Sequence, residues 1–354
     1  MVMTERHSKA EVQSGGGIRR AVVLGTGGIG TGVFFAVEGN ATLGREESRS
    51  GRYLDRRDYC KLHIVSDVIA RLVEGAVRVV PIGRVGNDMA GERLLEEMRL
   101  VGLDTRYVTV TPGAPTLSSF CVIYPDGSGG NLTTSDSASG QVTDKDIEAV
   151  ESEFALAGSA GIALAVPEVP WLARRRLLEL GTRYGLFRAA AFLSGETYLL
   201  TEANGAALVD LLALNVDEAA RAADLSPASP PPTILEALVN RLQPIQPDLM
   251  ISMTVGSRGA WFWDSRQMHH RPACAVNVVN TAGAGDAHLG GMLAGLALGL
   301  ESIAAFELGV LAAAVSVTSQ HTIHPTLTRT ALQEAVAAAE WRPAPEVLEL
   351  VGRR

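Results

Sequence analysis

Short apolar runs alternate along this chain with stretches in which apolar residues recur at helical spacing. Residues 21–24, 77–82, 161–165, 211–214, 249–254 and 276–279 are β-branched or apolar runs bounded by turn residues, and they read as buried strands. Most are followed by ten or more residues of helical period; residues 88–100 predict an amphipathic helix that stops near Gly102. Strands alternating with helices define an α/β fold with a parallel sheet. One region departs from this rhythm. Residues 105–134 read strand, turn, strand, turn, strand, with Pro112-Gly113 and Pro125-Asp126-Gly127 supplying the turns. A meander does not join a parallel sheet easily, so it predicts a small separate flap, which residues 32–58 would complete. Residues 226–233, SPASPPPT, join two helices as a loop, and no internal repeat is apparent. The expected organisation is a flexible N-terminal tail over 1–20, one domain over 21–345, and a C-terminal tail over 346–354.

Composition narrows the class. The 354 residues are 47% apolar and 20% charged, as in a soluble globular protein. A net charge of −8 argues against a nucleic-acid partner, and Arg174-Arg175-Arg176 reads as a solvated helix face. Cys60, Cys121 and Cys274 lie far apart, which fits a reducing compartment and offers no zinc framework. No run reaches the ~18 apolar residues of a membrane span. The polar N-terminus lacks the apolar segment of a secretory signal, so the expected location is cytoplasmic, with no membrane partner.

Two glycine clusters compete as a phosphate site. In AVVLGTGGIG, Gly25, Gly27 and Gly30 spell the G-x-G-x-x-G of an NAD-dependent oxidoreductase. That turn needs a helix directly after it and a second strand ending in an acid about twenty residues on. Only residues 33–38 are free of glycine, and no second strand is apparent where Glu46 and Glu47 fall. The other cluster is NTAGAGDAHLGGMLAGLALG, residues 280–299. There the predicted strand 276–279 enters a glycine turn and then a helix, with Leu289, Met292, Leu293, Leu296 and Leu300 on one apolar face. Amides of Ala284, Gly285 and Asp286 at that helix start favour an anion, and the same dipole stabilises an ionised Asp286. An anion hole beside a carboxylate suits phosphoryl transfer. A glycine-rich helix start with Asp286 as a mere cap is the alternative these residues leave open.

NTAGAGDAHLGG closely resembles the C-terminal signature of the ribokinase (PfkB) family of carbohydrate and nucleoside kinases, usually D-T-x-G-A-G-D-x-F-x-G-G. IGRVGNDMAG, residues 82–91, is similar to the family's I-G-x-V-G-x-D-x-x-G. Asn215-Val216-Asp217-Glu218 matches its N-x-x-E, and TVGSRGA, residues 254–260, its T-x-G-x-x-G-A. The resemblance runs from about residue 21 to 325. It implies a ribokinase-like three-layer αβα sandwich, with a central mostly parallel sheet and a small β-sheet lid. It also implies ATP-dependent transfer of the γ-phosphoryl group to a hydroxyl of a small sugar or nucleoside-like acceptor. Asp286 would be the base and Gly283, Ala284 and Gly285 the anion hole. Thr254, Gly256 and Gly259 would line ATP, and Asn215 and Glu218 would hold magnesium through water. Read without the resemblance, Asn215 and Glu218 form an ordinary capping box, and residues 254–260 a strand-ending turn.

The departures are informative. Asn280 and Ala282 replace an aspartate and a threonine beside a monovalent-cation site of some members, so the resemblance carries no potassium requirement over. His288 stands where an aromatic is usual. The family's G-G-x-x-x-N acceptor segment is replaced by YCKLHI, residues 59–64, and the aspartate expected near Gly30 is missing. An unusual acceptor follows, with His63, Asn131 and Asp136 as candidate contacts. The rival reading is a nucleotide- or metabolite-binding protein that kept the fold and lost the chemistry. Whether the lid also pairs two copies into a homodimer is left open by the sequence. No G-K-[ST], H-E-x-x-H or G-x-S-x-G motif occurs.

Overall fold

The computed structural model describes residues 18–126 and 129–352. The larger of its two sheets holds β1 (Val22–Thr26), β4 (Arg78–Gly86), β5 (Val108–Thr111), β8 (Gly161–Ala165), β9 (Phe187–Ala191), β10 (Leu211–Asn215), β11 (Met250–Thr254), β12 (Ala260–Trp263) and β13 (Met268–Arg271). The smaller holds β2 (Gly30–Val37), β3 (Gly51–Tyr59), β6 (Leu117–Ile123) and β7 (Gly129–Thr133). The large sheet runs β13-β12-β11-β10-β9-β8-β1-β4-β5 and is parallel except for the β11-β12-β13 edge. Every residue of β1 and β8 is buried, which is what parallel strands covered on both faces require.

Helices supply the covers. One face carries α1 (Lys61–Val73), α2 (Met89–Leu100), α8 (Ala284–Ala297), α9 (Ser302–Ser316), α10 (Arg329–Ala337) and α11 (Pro345–Gly352). The other carries α3 (Asp144–Glu148), α4 (Glu151–Ala157), α5 (Trp171–Tyr184), α6 (Val216–Ala223) and α7 (Pro231–Leu242). Two separate cores result, one around Val65, Met292 and Phe306, the other around Phe154, Leu177 and Leu235. This is the three-layer sandwich expected. Within it α8 lies between α1 and α9, and the contacts are close because α8 offers glycine there. A Cβ on Gly290 would sit 2.8 Å from Val68 Cβ, and one on Gly291 2.6 Å from Ala312 Cβ.

Several expectations are corrected. Residues 108–111 leave the flap and pair with β4 at the edge of the central sheet, so the meander contributes two lid strands rather than three. The run 276–279 forms no strand; Val278 and Val279 are exposed, and the hairpin β12–β13 takes the sheet edge instead. The C-terminal segment is a helix, with Val347, Leu350 and Val351 buried on one face, rather than a tail. Arg174 is 1% exposed instead of solvated, clamped by Glu196 and set over Trp171 and Phe192. Residues 1–17 of the expected N-terminal tail, Gly127 of the second turn and residues 353–354 lie outside the described residues.

The small sheet, ordered β3-β2-β6-β7, has two unlike faces. One exposes Val33, Tyr53 and Leu132 around the packed rings of Phe35 and Phe120. On the other, Phe34, Asp58 and Ser119 are buried.

Candidate active site

A cleft of about 820 Å³ opens at the carboxyl ends of β10 and β11, where parallel sheets place their ligands. One end of it is formed by the start of α8. Gly283 caps that helix at φ 79°, a left-handed conformation open to glycine, and a Cβ there would press to 2.9 Å from the Thr322 carbonyl. The Ala284 amide donates to Thr281 O at a long 3.3 Å. Those of Gly285 and Asp286 have no partner among the described residues. They are the orphan donors of a helix N-terminus, facing a cavity, with the dipole behind them. Asp286 lines the cleft with its side chain 15% exposed, so it is partly sheltered and open to a ligand.

Lys61 answers Asp286 from the opposite wall. It opens α1, and its Nζ donates to Asp286 Oδ1 at 3.3 Å. The Asp286 charge holds the ammonium well above the usual lysine range. The Lys61 backbone amide donates to Glu168 Oε2 at 3.0 Å. Glu168 follows β8 at φ 76°, a backbone region that non-glycine residues seldom occupy. Gly28 makes the room, since a Cβ on it would lie 2.3 Å from Glu168 Oε2. Burial pushes the Glu168 carboxyl up to about 7, with the Lys61 charge opposing. Sequence reasoning missed both residues. Lys61 stood in plain view within the segment that replaces the family's acceptor motif.

Asn215 and Glu218 do form the capping box. Asn215 Oδ1 accepts from the Glu218 amide at 2.9 Å, and Glu218 Oε2 accepts from the Asn215 amide at 2.8 Å. Both line the cleft, and burial raises the Glu218 carboxyl above its usual range while Lys61 opposes the shift. Glu218 uses Oε2 on the cap and leaves Oε1 as a further acceptor at the cleft wall. That donor suits a hydrated magnesium ion, which keeps most of its waters. Thr254, Gly256 and Gly259 line the same cleft, and Thr254 Oγ1 lies 3.6 Å from where a Cβ on Gly285 would be. Gly259 turns at φ 86° so closely past β13 that a Cβ would sit 2.1 Å from Arg271 O. The wall beyond is apolar, with Phe192, Val276, Val310 and Ala314. The cleft therefore grades from helix amides and carboxylates to hydrocarbon, a polarity that fits a nucleoside triphosphate. His288 forms part of its floor; burial lowers its imidazole to about 4, and Nε2 meets Ser252 Oγ at 2.7 Å.

The three candidate acceptor contacts fare differently. His63 turns away from Asp286 into a second cavity between α1, β3 and residues 320–325, where it packs edge-on against Tyr59. Helical geometry explains this: two positions after Lys61, a side chain points to the far side of α1. Asp136 is exposed and does not line the cleft. Asn131 lies on β7 with Oδ1 3.5 Å from Cys121 Sγ. The G-x-G-x-x-G also resolves. Gly25 lies inside β1 and Gly30 opens β2, so a strand, not a helix, follows the motif and no helix end faces a pyrophosphate. His321 and His324 serve loop contacts: the His321 ring accepts from the Arg57 amide, and that of His324 meets Thr318. No helix among the described residues is long and apolar enough to cross a membrane.

The layered fold, with a helix start and an aspartate meeting in one cleft, is one this chain shares with a family of kinases. The chain belongs to the pfkB family of carbohydrate kinases, whose model matches residues 65–329. Over 51 residues it is 49% identical to the uncharacterized sugar kinase YegV of Escherichia coli (strain K12), a match spanning 14% of this chain and 16% of that protein. Ribokinase from Giardia lamblia superposes with a TM-score of 0.74 at 16% identity, covering 90% of this chain and 99% of that one. Burkholderia thailandensis nucleoside kinase, solved in complex with inosine, gives 0.69 at 20% identity, covering 91% and 100%. At these identities the two structures share the fold.

Proposed function

We propose that this protein is an ATP-dependent kinase that phosphorylates a hydroxyl of a small sugar or nucleoside-like acceptor. One observation carries the reading: Asp286, the unpartnered amides at the start of α8 and the Lys61 ammonium converge in a single cleft. Thr254, Gly256 and Gly259 border ATP. Asn215 and Glu218 would hold the waters of a magnesium ion, whose charge would offset that of the phosphates. Asp286 accepts the proton of the acceptor hydroxyl as its oxygen bonds to the γ-phosphorus. The bond to the bridging oxygen breaks, and ADP leaves with that electron pair. Gly283 shapes the turn, and the amides of Ala284, Gly285 and Asp286 steady the charge on the migrating phosphoryl group. Lys61 orients the Asp286 carboxyl through its Nζ. The lid sheet covers the acceptor and keeps water out. Its apolar outer face, with Tyr53 68% and Leu132 69% exposed, is where we expect a second copy to pair.

The test is ADP release from Mg-ATP over a panel of sugars and nucleosides. ADP formed with at least one acceptor, and mass spectrometry of a phosphomonoester product, support the reading. ATP binding without turnover of any compound overturns it in favour of a binding protein.

A further inference from the structure

The cavity that His63 enters, bordered by α1, α2, β3 and residues 320–325, measures about 530 Å³ and shares no lining residue with the cleft. Cavities of this order hold small molecules. One wall is a polar stripe on α1, where His63, Asp67 and Arg71, spaced by four, stack along one face. His63 is 1% and Asp67 4% exposed, and burying such groups in place of hydrocarbon is costly unless every polar atom is bonded. Here the bonding is incomplete. His63 Nδ1 and, from α2, Glu97 Oε2 are buried with no hydrogen-bond partner among the described residues. Two orphaned polar atoms, on two elements around one cavity, point to a ligand that completes them.

The remaining wall narrows the chemistry. Arg71 holds Asp67 and, through Nη1 at 2.9 Å, the Pro325 carbonyl; Arg57 Nη1 donates to Glu97 Oε1 at 3.1 Å. An anion would meet Asp55, Asp67 and Glu97 with both guanidinium groups already paired. Burial, with the charges of Arg71 and Arg93, lowers the His63 imidazole to about 3, so the neutral ring has one donor and one acceptor nitrogen. A hydroxyl satisfies Nδ1 in either tautomer, because it donates and accepts, and it can donate to Glu97 Oε2 as well. An ammonium ion serves only one tautomer and would lie beside two guanidinium groups. Tyr59, Leu100 and Ile323 add hydrocarbon beside these polar atoms, a surface for the C–H face of a hydroxylated ring.

We propose that this cavity is a second binding site, separate from the cleft, for a neutral polyhydroxylated molecule of monosaccharide size. It stands apart from the kinase reading, because binding is measured by calorimetry on the full chain without nucleotide. The probes are ribose, fructose, glucose and myo-inositol, against gluconate and glucose 6-phosphate. Saturable binding of at least one neutral probe, tighter than that of either anion, is expected. Glu97→Gln, which keeps the shape and removes the charge, should weaken that binding about tenfold, and His63→Leu about fivefold. Neither residue lines the cleft, so ADP release from Mg-ATP with a productive acceptor should match the parent in both variants. No binding of any neutral probe, preference for an anion, or unchanged affinity in either folded variant overturns the second site and leaves the kinase reading standing. Loss of ADP release in proportion to the loss of binding places the probe in the cleft and overturns the second site too. Should one variant fail to fold, the other decides. Absence of ADP with every acceptor overturns the kinase reading and leaves this site to the calorimetry.

Discussion

Lys61 and Asp286 stand 225 positions apart in the chain and 3.3 Å apart in space. Pairings of this kind decide how much of a site a sequence can reveal. The helix start holding Asp286 and its glycines was legible because the pattern is local: a glycine turn, one carboxylate and a helix start within four residues. Lys61 and Glu168 were not, since each gains its meaning from a partner on another element. His63 shows the opposite failure, a suggestive residue type facing the wrong way. Its Nδ1 is buried without a hydrogen bond, and burial lowers the imidazole to about 3. As pH falls below about 6.5, the unfolded chain takes up a proton there that the folded chain refuses, so the folded state loses stability down to about pH 3. His63→Leu should remove this contribution, making the loss between pH 7.5 and 5 smaller by about 2 kcal/mol in urea unfolding. Equal losses in parent and variant would show that His63 does not titrate on unfolding.

At the level of elements, long periodic segments were readable and short ones were not. The strand 161–165 and the helix capped by Asp88 match the sequence pattern, because burial on two faces and an N-cap leave strong marks. The hairpin β12–β13 has four residues per strand, too few for a period to show. Residues 276–279 have a strand's composition, but the hairpin β12–β13 occupies the near edge of the sheet. Element packing also explains the G-G pair in the signature. Gly291 lets α8 approach α9, with the Gly309 Cα 3.0 Å from where a Cβ would be. Gly291→Ala should therefore cost about 1–3 kcal/mol by overpacking, read as a lower urea midpoint at unchanged m-value. A midpoint equal to the parent's would mean that α8 and α9 have slack between them.

For the whole molecule, the layered plan followed from alternating strands and helices, and the lid from the one stretch that broke the alternation. Its membership did not follow, because residues 105–134 are divided between two sheets by pairing that no local pattern encodes. The lid face with Phe35, Tyr53 and Phe120 predicts a dimer. Light scattering should give twice the 37.3 kDa chain mass for the parent and a monomer for Tyr53→Asp. A monomeric parent would refute that assembly while leaving the cleft untouched.

The central claim is that a carboxylate at the α8 start takes a proton while adjacent amides hold the phosphoryl group. Asp286→Asn keeps the shape and removes the base. With the acceptor identified by the panel, the account predicts a kcat lower by about 10²–10⁴-fold, with ATP affinity nearly unchanged. A variant that turns over as fast as the parent would contradict it.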